Sequence, residues 1–262
     1  MSFLAIAITI IGTMVDAAEL ASFYEDAYSR APADAALYSR WRALGARGKA
    51  DHVVALCREA GRTPSSTLEV GCGDGALLCE LRRRGFGGRL CGLEIAPAAV
   101  SIARARREID AVELFDGLRV PADDGAYELG ILSHVLEHVP EPSLLLAEVA
   151  RTCATVIVEV PLEANLSARR SAKREHAGEV GHLQRLDRDA ARAIVSLAGL
   201  RIVCELEDPL PLQVHRFFAA GRAARGAASA KWALRAALHR LAPALARRAF
   251  TLHYACLCVR DA

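Results

Sequence analysis

The stretch Leu68-Glu69-Val70-Gly71-Cys72-Gly73-Asp74-Gly75-Ala76-Leu77-Leu78 constrains this chain more than any other feature. An apolar run enters a turn with glycines at 71, 73 and 75 and leaves as a helix. Lacking a Cβ, glycine takes positive φ and lets a ligand lie against the backbone, while the helix start offers free N–H groups. The fingerprint G-x-G-x-x-G holds a pyrophosphate. The spacing here differs and argues against a dinucleotide. A nucleoside ligand also needs an acid at the end of the next strand, roughly 20 residues on. Cys91-Gly92-Leu93-Glu94 supplies Glu94, and a carboxylate accepts hydrogen bonds from both ribose hydroxyls.

Around that turn, short apolar runs alternate with helical periods. The runs are 67–71, 89–94, 112–115, 127–132, 155–161 and 200–206; helices are predicted over 75–84, 97–107, 142–152 and 188–198. Such alternation means a mostly parallel sheet covered by helices on both faces. Before it, Leu20, Phe23, Tyr24, Ala27 and Tyr28 fall on one helical face, and 47–60 repeats the period. After it, 216–250 is helix-like and rich in Ala and Arg, and Thr251–Val259 reads as a final strand.

Thirty-three basic against 31 acidic side chains leave a net charge of +2, too little for whole-protein attraction to nucleic acid. Eight cysteines form no C-x-x-C pair and sit in apolar runs, so reduced thiols and a cytoplasmic location are expected. Phe3–Val15 is too short to span a bilayer. Met14 precedes the acidic opening Val15-Asp16-Ala17-Ala18-Glu19, so translation is expected to start there, with the first 13 residues of the apolar N-terminal extension 1–16 lying upstream of the native start. A leader peptide cleaved near Val15-Asp16-Ala17 is the alternative.

The glycine turn with Glu69 and Glu94 resembles the class I S-adenosylmethionine-dependent methyltransferases, whose first strand ends in acid-x-Gly-x-Gly-x-Gly. Phe115-Asp116-Gly117 stands where that family places an Asp after strand three, and Val120–Val139 resembles its strand-four block, with Tyr127-Glu128 in place of Phe-Asp. The likeness runs from about Leu68 to Leu206. It implies an α/β, Rossmann-like, doubly wound sheet of seven strands, mostly parallel, with an antiparallel last strand. N-terminal helices over 17–62 would cap a methyltransferase domain over 63–262, with a basic helical insertion at 211–249. The resemblance implies S-adenosyl-L-methionine held by Glu69, Gly71, Cys72, Gly73, Gly75, Glu94, Ile95, Asp116, Gly117 and Ser133. It further implies methyl transfer to oxygen or nitrogen of a small or lipid-like acceptor.

His134 and His138 form His-x-x-Glu-His with Glu137. A helical metal motif is one reading; a structural turn after strand four is the stronger, and no metal is expected. His134 is the first choice for a general base, since imidazole titrates near neutrality, and His182 is the second. Glu159 is expected to face the acceptor, and 162–181 to form a lid beside it. From Pro209 to Val259 there is no acidic residue, while arginines interleave with Trp232, Leu234, Leu238, Leu241 and Leu245. The bland reading packs those leucines on the sheet; the sharper one rests 216–249 on an anionic membrane. Two other classes stay open: a catalytically silent cofactor-binding partner subunit, and an NAD-dependent oxidoreductase. The acceptor's identity and the oligomeric state are left open.

Overall fold

The computed structural model describes residues 17–29, 32–169 and 181–261. The apolar extension and the charged stretch Arg170, Lys173, Arg174, Glu175 and His176 of the expected lid lie outside the described residues. Two helices, α1 (Ala17–Tyr28) and α2 (Pro32–Glu59), precede β1 (Ser66–Val70), α3 (Ala76–Arg83), β2 (Arg89–Glu94), α4 (Pro97–Arg104) and β3 (Ala111–Leu114). Then come β4 (Tyr127–Ser133), α5 (Pro142–Thr152), β5 (Cys153–Pro161), α6 (Arg188–Leu197) and β6 (Leu200–Asp208). Three helices, α7 (Leu212–Arg216), α8 (Gly221–Leu241) and α9 (Pro243–Ala249), lead into β7 (His253–Arg260).

The seven strands form one sheet in the order β3-β2-β1-β4-β5-β7-β6. β7 is antiparallel between β5 and β6, and the other neighbours pair in parallel. The chain leaves β1 toward β2 and β3, then returns to β4 on the other side. That reversal opens a crevice at the carboxyl ends of β1 and β4, where open α/β sheets bind ligands. Because β7 runs backwards, its first residue reaches the same edge, and His253 pairs with both Pro161 and Asp208.

Alternation along the strands divides the core. Leu68, Val70, Val156 and Val158 face α5 and α6; Leu129, Ile131 and Ile157 face α2 and α3. β5 is buried over nearly its whole length, as a strand covered on both faces must be. The longer acid of Tyr127-Glu128 has its own use: Glu128 Oε2 accepts from Ser65 N at 2.7 Å, tying the starts of β4 and β1.

The helix-like stretch 216–250 breaks at Ala242, where Pro243 leads one to expect two short helices, and also at Phe217–Ala220. Proline suits a first helical turn and not an interior. No residue of α8 is fully buried. Leu238 packs against the core, whereas Leu234 and Leu241 are exposed, so the expectation that the leucines pack inward holds for only part of the helix.

Gly92 of β2 lies against Cys72, and a Cβ there would come within 2.6 Å of the Cys72 Sγ. Gly92→Ala is therefore expected to lower stability by about 1–3 kcal/mol, the usual cost of overpacking. Guanidinium melts would show it, with Cys72→Ala in the same chain restoring most of the loss.

Candidate active site

At the end of β1 the backbone turns through Gly71, Gly73 and Gly75 with φ of 73°, 54° and 74°. Gly71 N and Cys72 N donate to Leu93 O at 2.8 and 3.0 Å, fastening the turn to β2. The Glu94 carboxylate completes the fastening. Its Oε2 accepts from Gly73 N at 2.8 Å and its Oε1 from Ile95 N at 2.7 Å and Ala96 N at 3.1 Å. Burial pushes this carboxyl above its usual range, and the three backbone donors oppose the shift. Each oxygen has more than one acceptor direction, so ribose hydroxyls can join these donors.

Glu69, one residue before the end of β1, is buried and its Oε2 has no hydrogen-bond partner. Burial raises its pKa to about 8, against the pull of the Lys49 ammonium. A buried carboxylate oxygen without a donor is costly, and the ammonium of an amino-acid ligand supplies that donor. Asp74 is buried under a double ion pair, 3.0 Å from both Arg42 and Arg106, which anchors the turn to α2 and the segment after α4.

One cavity of about 810 Å³ runs along this edge. Of the residues predicted from sequence, Glu69, Gly71, Cys72, Gly73, Glu94, Ile95, Gly117, Ser133, His134 and His182 line it. Gly75 and Asp116 do not. Gly75 is glycine for packing, since a Cβ would meet Ile109 Cδ1 at 2.2 Å. Asp116 folds back: its Oδ1 accepts from Leu118 N and Arg119 N, both at 2.8 Å, and these bonds lower its pKa. It sets the turn at Gly117.

The far end of the cavity is built from histidines and acids. His134 has φ 60°, the one positive value outside glycine among the described residues. Its N–H donates to Glu159 O at 2.9 Å. The ring is engaged on both sides: Nδ1 is 3.2 Å from Glu137 Oε1, and Nε2 is 2.9 Å from His253 Nδ1. Glu159, predicted to face the acceptor, is instead buried behind this pair at 1% exposure. Its Oε2 accepts from Ser133 Oγ at 3.0 Å, and its Oε1 lies 3.3 Å from His52 Nδ1. His52 also reaches Asp208 Oδ2 at 3.2 Å; these two acids overcome the burial penalty and raise its pKa to about 10. Burial opposes a charge on Glu159, yet the three histidines around it, His134, His253 and His52, hold it well below the carboxylate range. Glu137 is likewise pulled down, to about 2, by His134 and His138.

His138 Nδ1 meets Gly181 O at 3.0 Å, and His182 Nδ1 meets Glu163 Oε2 at 2.7 Å. Two groups, His134–Glu159–His253 and Glu137–His138–His182, bring one ligand-type atom of each residue within 4.8 Å. Ion pairs and ring contacts already join these atoms, so the spacing does not by itself define a cation site.

Sequence reading missed Tyr24, Tyr28, Trp41, Arg42, Lys49 and His253, all on the cavity wall. Tyr24 and Tyr28 stood out only as an aromatic helical face. Tyr28 lies over the glycine turn, where a Cβ on Gly73 would come within 2.4 Å of its hydroxyl. α1 is held there by Glu25, whose Oε2 accepts from Ala98 N at 2.8 Å, and by Arg42 stacked 4.7 Å from the Tyr28 ring.

Two binding outcomes follow for S-adenosylhomocysteine measured by calorimetry. Glu94→Ala is expected to weaken it about ten- to a hundredfold, the range for hydrogen bonds to a charged group. Glu69 holds its proton up to about pH 8 and must ionise to meet an ammonium. Affinity should therefore rise between about pH 6.5 and 8.5 with proton release. In Glu69→Gln that rise should be absent.

Residues 40–205, well over half of the chain, match a family model described as a methyltransferase domain. The ubiquinone biosynthesis O-methyltransferase of Acinetobacter baumannii (strain ACICU) is 26% identical over 106 residues, covering 38% of this chain and 42% of that protein. The ajmaline N-methyltransferase of Rauvolfia serpentina is 27% identical over 115 residues, 40% of this chain and 39% of that one. The chain thus spans about two fifths of the length of these curated relatives. A SAM-dependent methyltransferase of Thermotoga maritima superposes with TM-score 0.58 at 13% identity, over 92% of this chain and 100% of that one. The magnesium protoporphyrin IX methyltransferase of Synechocystis PCC 6803, solved with bound SAH, gives 0.52 at 17% identity over 83% and 84%. At such identities the superpositions speak to the fold, and it is the family match together with the glycine turn that places the chain among the class I S-adenosylmethionine-dependent methyltransferases.

Proposed function

We propose that this methyltransferase acts on an oxygen or nitrogen of a small, partly apolar or lipid-like acceptor. The observation that carries the reading is the continuity of the cavity from the glycine turn and Glu94 to the histidines at its other end. Bound S-adenosylmethionine supplies an already activated methyl group on a sulfonium. The chain then has to orient, to exclude water and to manage a proton. Glu69, Gly73 and Glu94 would hold the donor. Trp41, Pro161, Leu210 and Val214 give the acceptor end apolar walls, while His134 and His182 stand there with their polar atoms. Eight unpaired, buried cysteines suit a reducing cytoplasm.

The same reading extends to the basic insertion. Among the described residues no helix is long and apolar enough to cross a membrane. α8 nevertheless exposes Leu234 at 62% and Leu241 at 83% beside Arg222, Arg225, Lys231 and Arg240. Trp232 Nε1 donates to Leu210 O at 2.9 Å, and Leu210 lines the cavity mouth. Peripheral docking of 216–249 on an anionic surface would set that mouth against the lipid.

Methyl-tritiated S-adenosylmethionine incubated with the protein and a panel of phenols and amines is expected to label at least one organic-soluble product. A panel left unlabelled, with S-adenosylhomocysteine formed no faster than without acceptor, would favour a silent cofactor-binding subunit. Sedimentation with phosphatidylglycerol vesicles is expected at low salt and to weaken at physiological salt. Absence of binding at both salts removes the membrane contact.

A further inference from the structure

Two imidazoles meet at the acceptor end with their ring nitrogens unequally engaged. His134 has both ring nitrogens turned to protein groups: Nδ1 to Glu137 at 3.2 Å and Nε2 to His253 at 2.9 Å. It therefore has no nitrogen left for an acceptor. His253, also on the cavity wall, spends only Nδ1 on that contact, and Nε2 is the nitrogen on the remaining edge of its ring. Glu159 Oε1 lies 3.8 Å from both His253 Nδ1 and His134 Nε2. Glu137 beside His134 Nδ1 favours the proton there in the neutral ring, so His134 Nε2 accepts, His253 Nδ1 carries the shared proton and His253 Nε2 is left bare.

We propose that His253 is the general base of this site and that His134 is the positioning residue that receives the charge, so that the acceptor is a hydroxyl that arrives protonated. This rests on the methyl-transfer reading of the same cavity. The step balances as follows. The acceptor O–H bond breaks as its oxygen bonds to the methyl carbon, and the carbon–sulfur electron pair returns to sulfur. The acceptor proton goes to His253 Nε2, and the Nδ1 proton of His253 passes to His134 Nε2. The resulting imidazolium lies between the carboxylates of Glu137 and Glu159. A carboxylate acceptor brings no proton and would make the pair idle; a phenol-like hydroxyl makes it necessary.

The surroundings fit this division of labour. Glu159 faces the pair from β5, Glu137 and His138 from the turn after β4, His52 and Lys49 from α2, and Asp208 from β6. Burial holds His253 below the ordinary histidine value against the pull of Glu159, and positive charge on His134 lowers it further. The nearby carboxylates of Glu137 and Glu159 outweigh burial and the Lys49 ammonium at His134 and raise it, so a proton delivered to the pair comes to rest there. The pair titrates as a unit. Its proton-accepting form gains as pH rises through a midpoint above the usual histidine value of about 6.5.

Nitrogen-15 NMR of the full chain with labelled histidine rings tests this, with and without S-adenosylhomocysteine. At pH 8.5 His253 is expected to carry its proton on Nδ1 with Nε2 bare, and both rings to shift in one shared titration. A proton on His253 Nε2 at that pH, or two independent titrations, overturns the proposal. So does one equivalent of zinc that co-purifies with the wild type and is lost in His253→Gln. On the phenols labelled in the panel above, His253→Gln is expected to lower kcat about 10²–10⁴-fold with KM little changed, and to flatten the acid limb of the pH profile. A loss confined to KM overturns the base role. Should His253→Gln not fold, the wild-type tautomer decides. Failure of S-adenosylhomocysteine to bind strikes the methyl-transfer reading instead, and the ligand-free tautomer still judges the relay.

Discussion

The Glu94 carboxylate is the interaction on which the binding edge depends. It ends β2, one strand away from the glycine turn, and accepts three backbone N–H groups from two different segments. A turn of three positive-φ glycines has many other conformations open to it, and each costs entropy to exclude. Bonds from Gly71 and Cys72 to Leu93, with Gly73 to Glu94, exclude them before any ligand arrives. The same acid thus supports the turn and keeps acceptor directions open toward the cavity.

Along this edge three buried acids are held in opposite states by their surroundings. Glu69 has no aligned donor on one oxygen and is kept near pH 8, whereas Glu137 and Glu159 lie among histidines and stay ionised. Groups whose environments push their titration apart are how one site separates binding from proton handling. The donor end favours a cation brought by the ligand; the acceptor end keeps a cation in the protein, on His52. Substitutions at the two ends should therefore differ in kind, with donor-end changes read in affinity and acceptor-end changes in turnover.

Most of the fold was legible because strand runs and helical periods alternate regularly, and the glycine turn with Glu94 announced the donor end. The acceptor end was less legible, because its parts come from α2, the turn after β4, β5 and β7. His253 illustrates the reason. An antiparallel last strand was expected, and reversal puts the first residue of that strand, not its last, at the active edge. That consequence was available in Thr251-Leu252-His253 and was not drawn. Asp116 failed differently: a short acid before glycine satisfies its own backbone as readily as a ligand. Glu159 was placed on the correct edge, yet alternation turns its side chain into the histidine cluster instead of the cavity.

Tyr28 poses a question of timing. Its hydroxyl stands over Gly73, on the path by which any ligand would reach the turn, and α1 is fastened by a carboxylate at the start of α4 and by an arginine on α2. A nucleoside seated on the turn would lie beneath a helix, not beside open water. A ligand leaving the turn would pass this helix, so the contacts of Glu25 and Arg42 bear on how long it stays as well as on how it is seated.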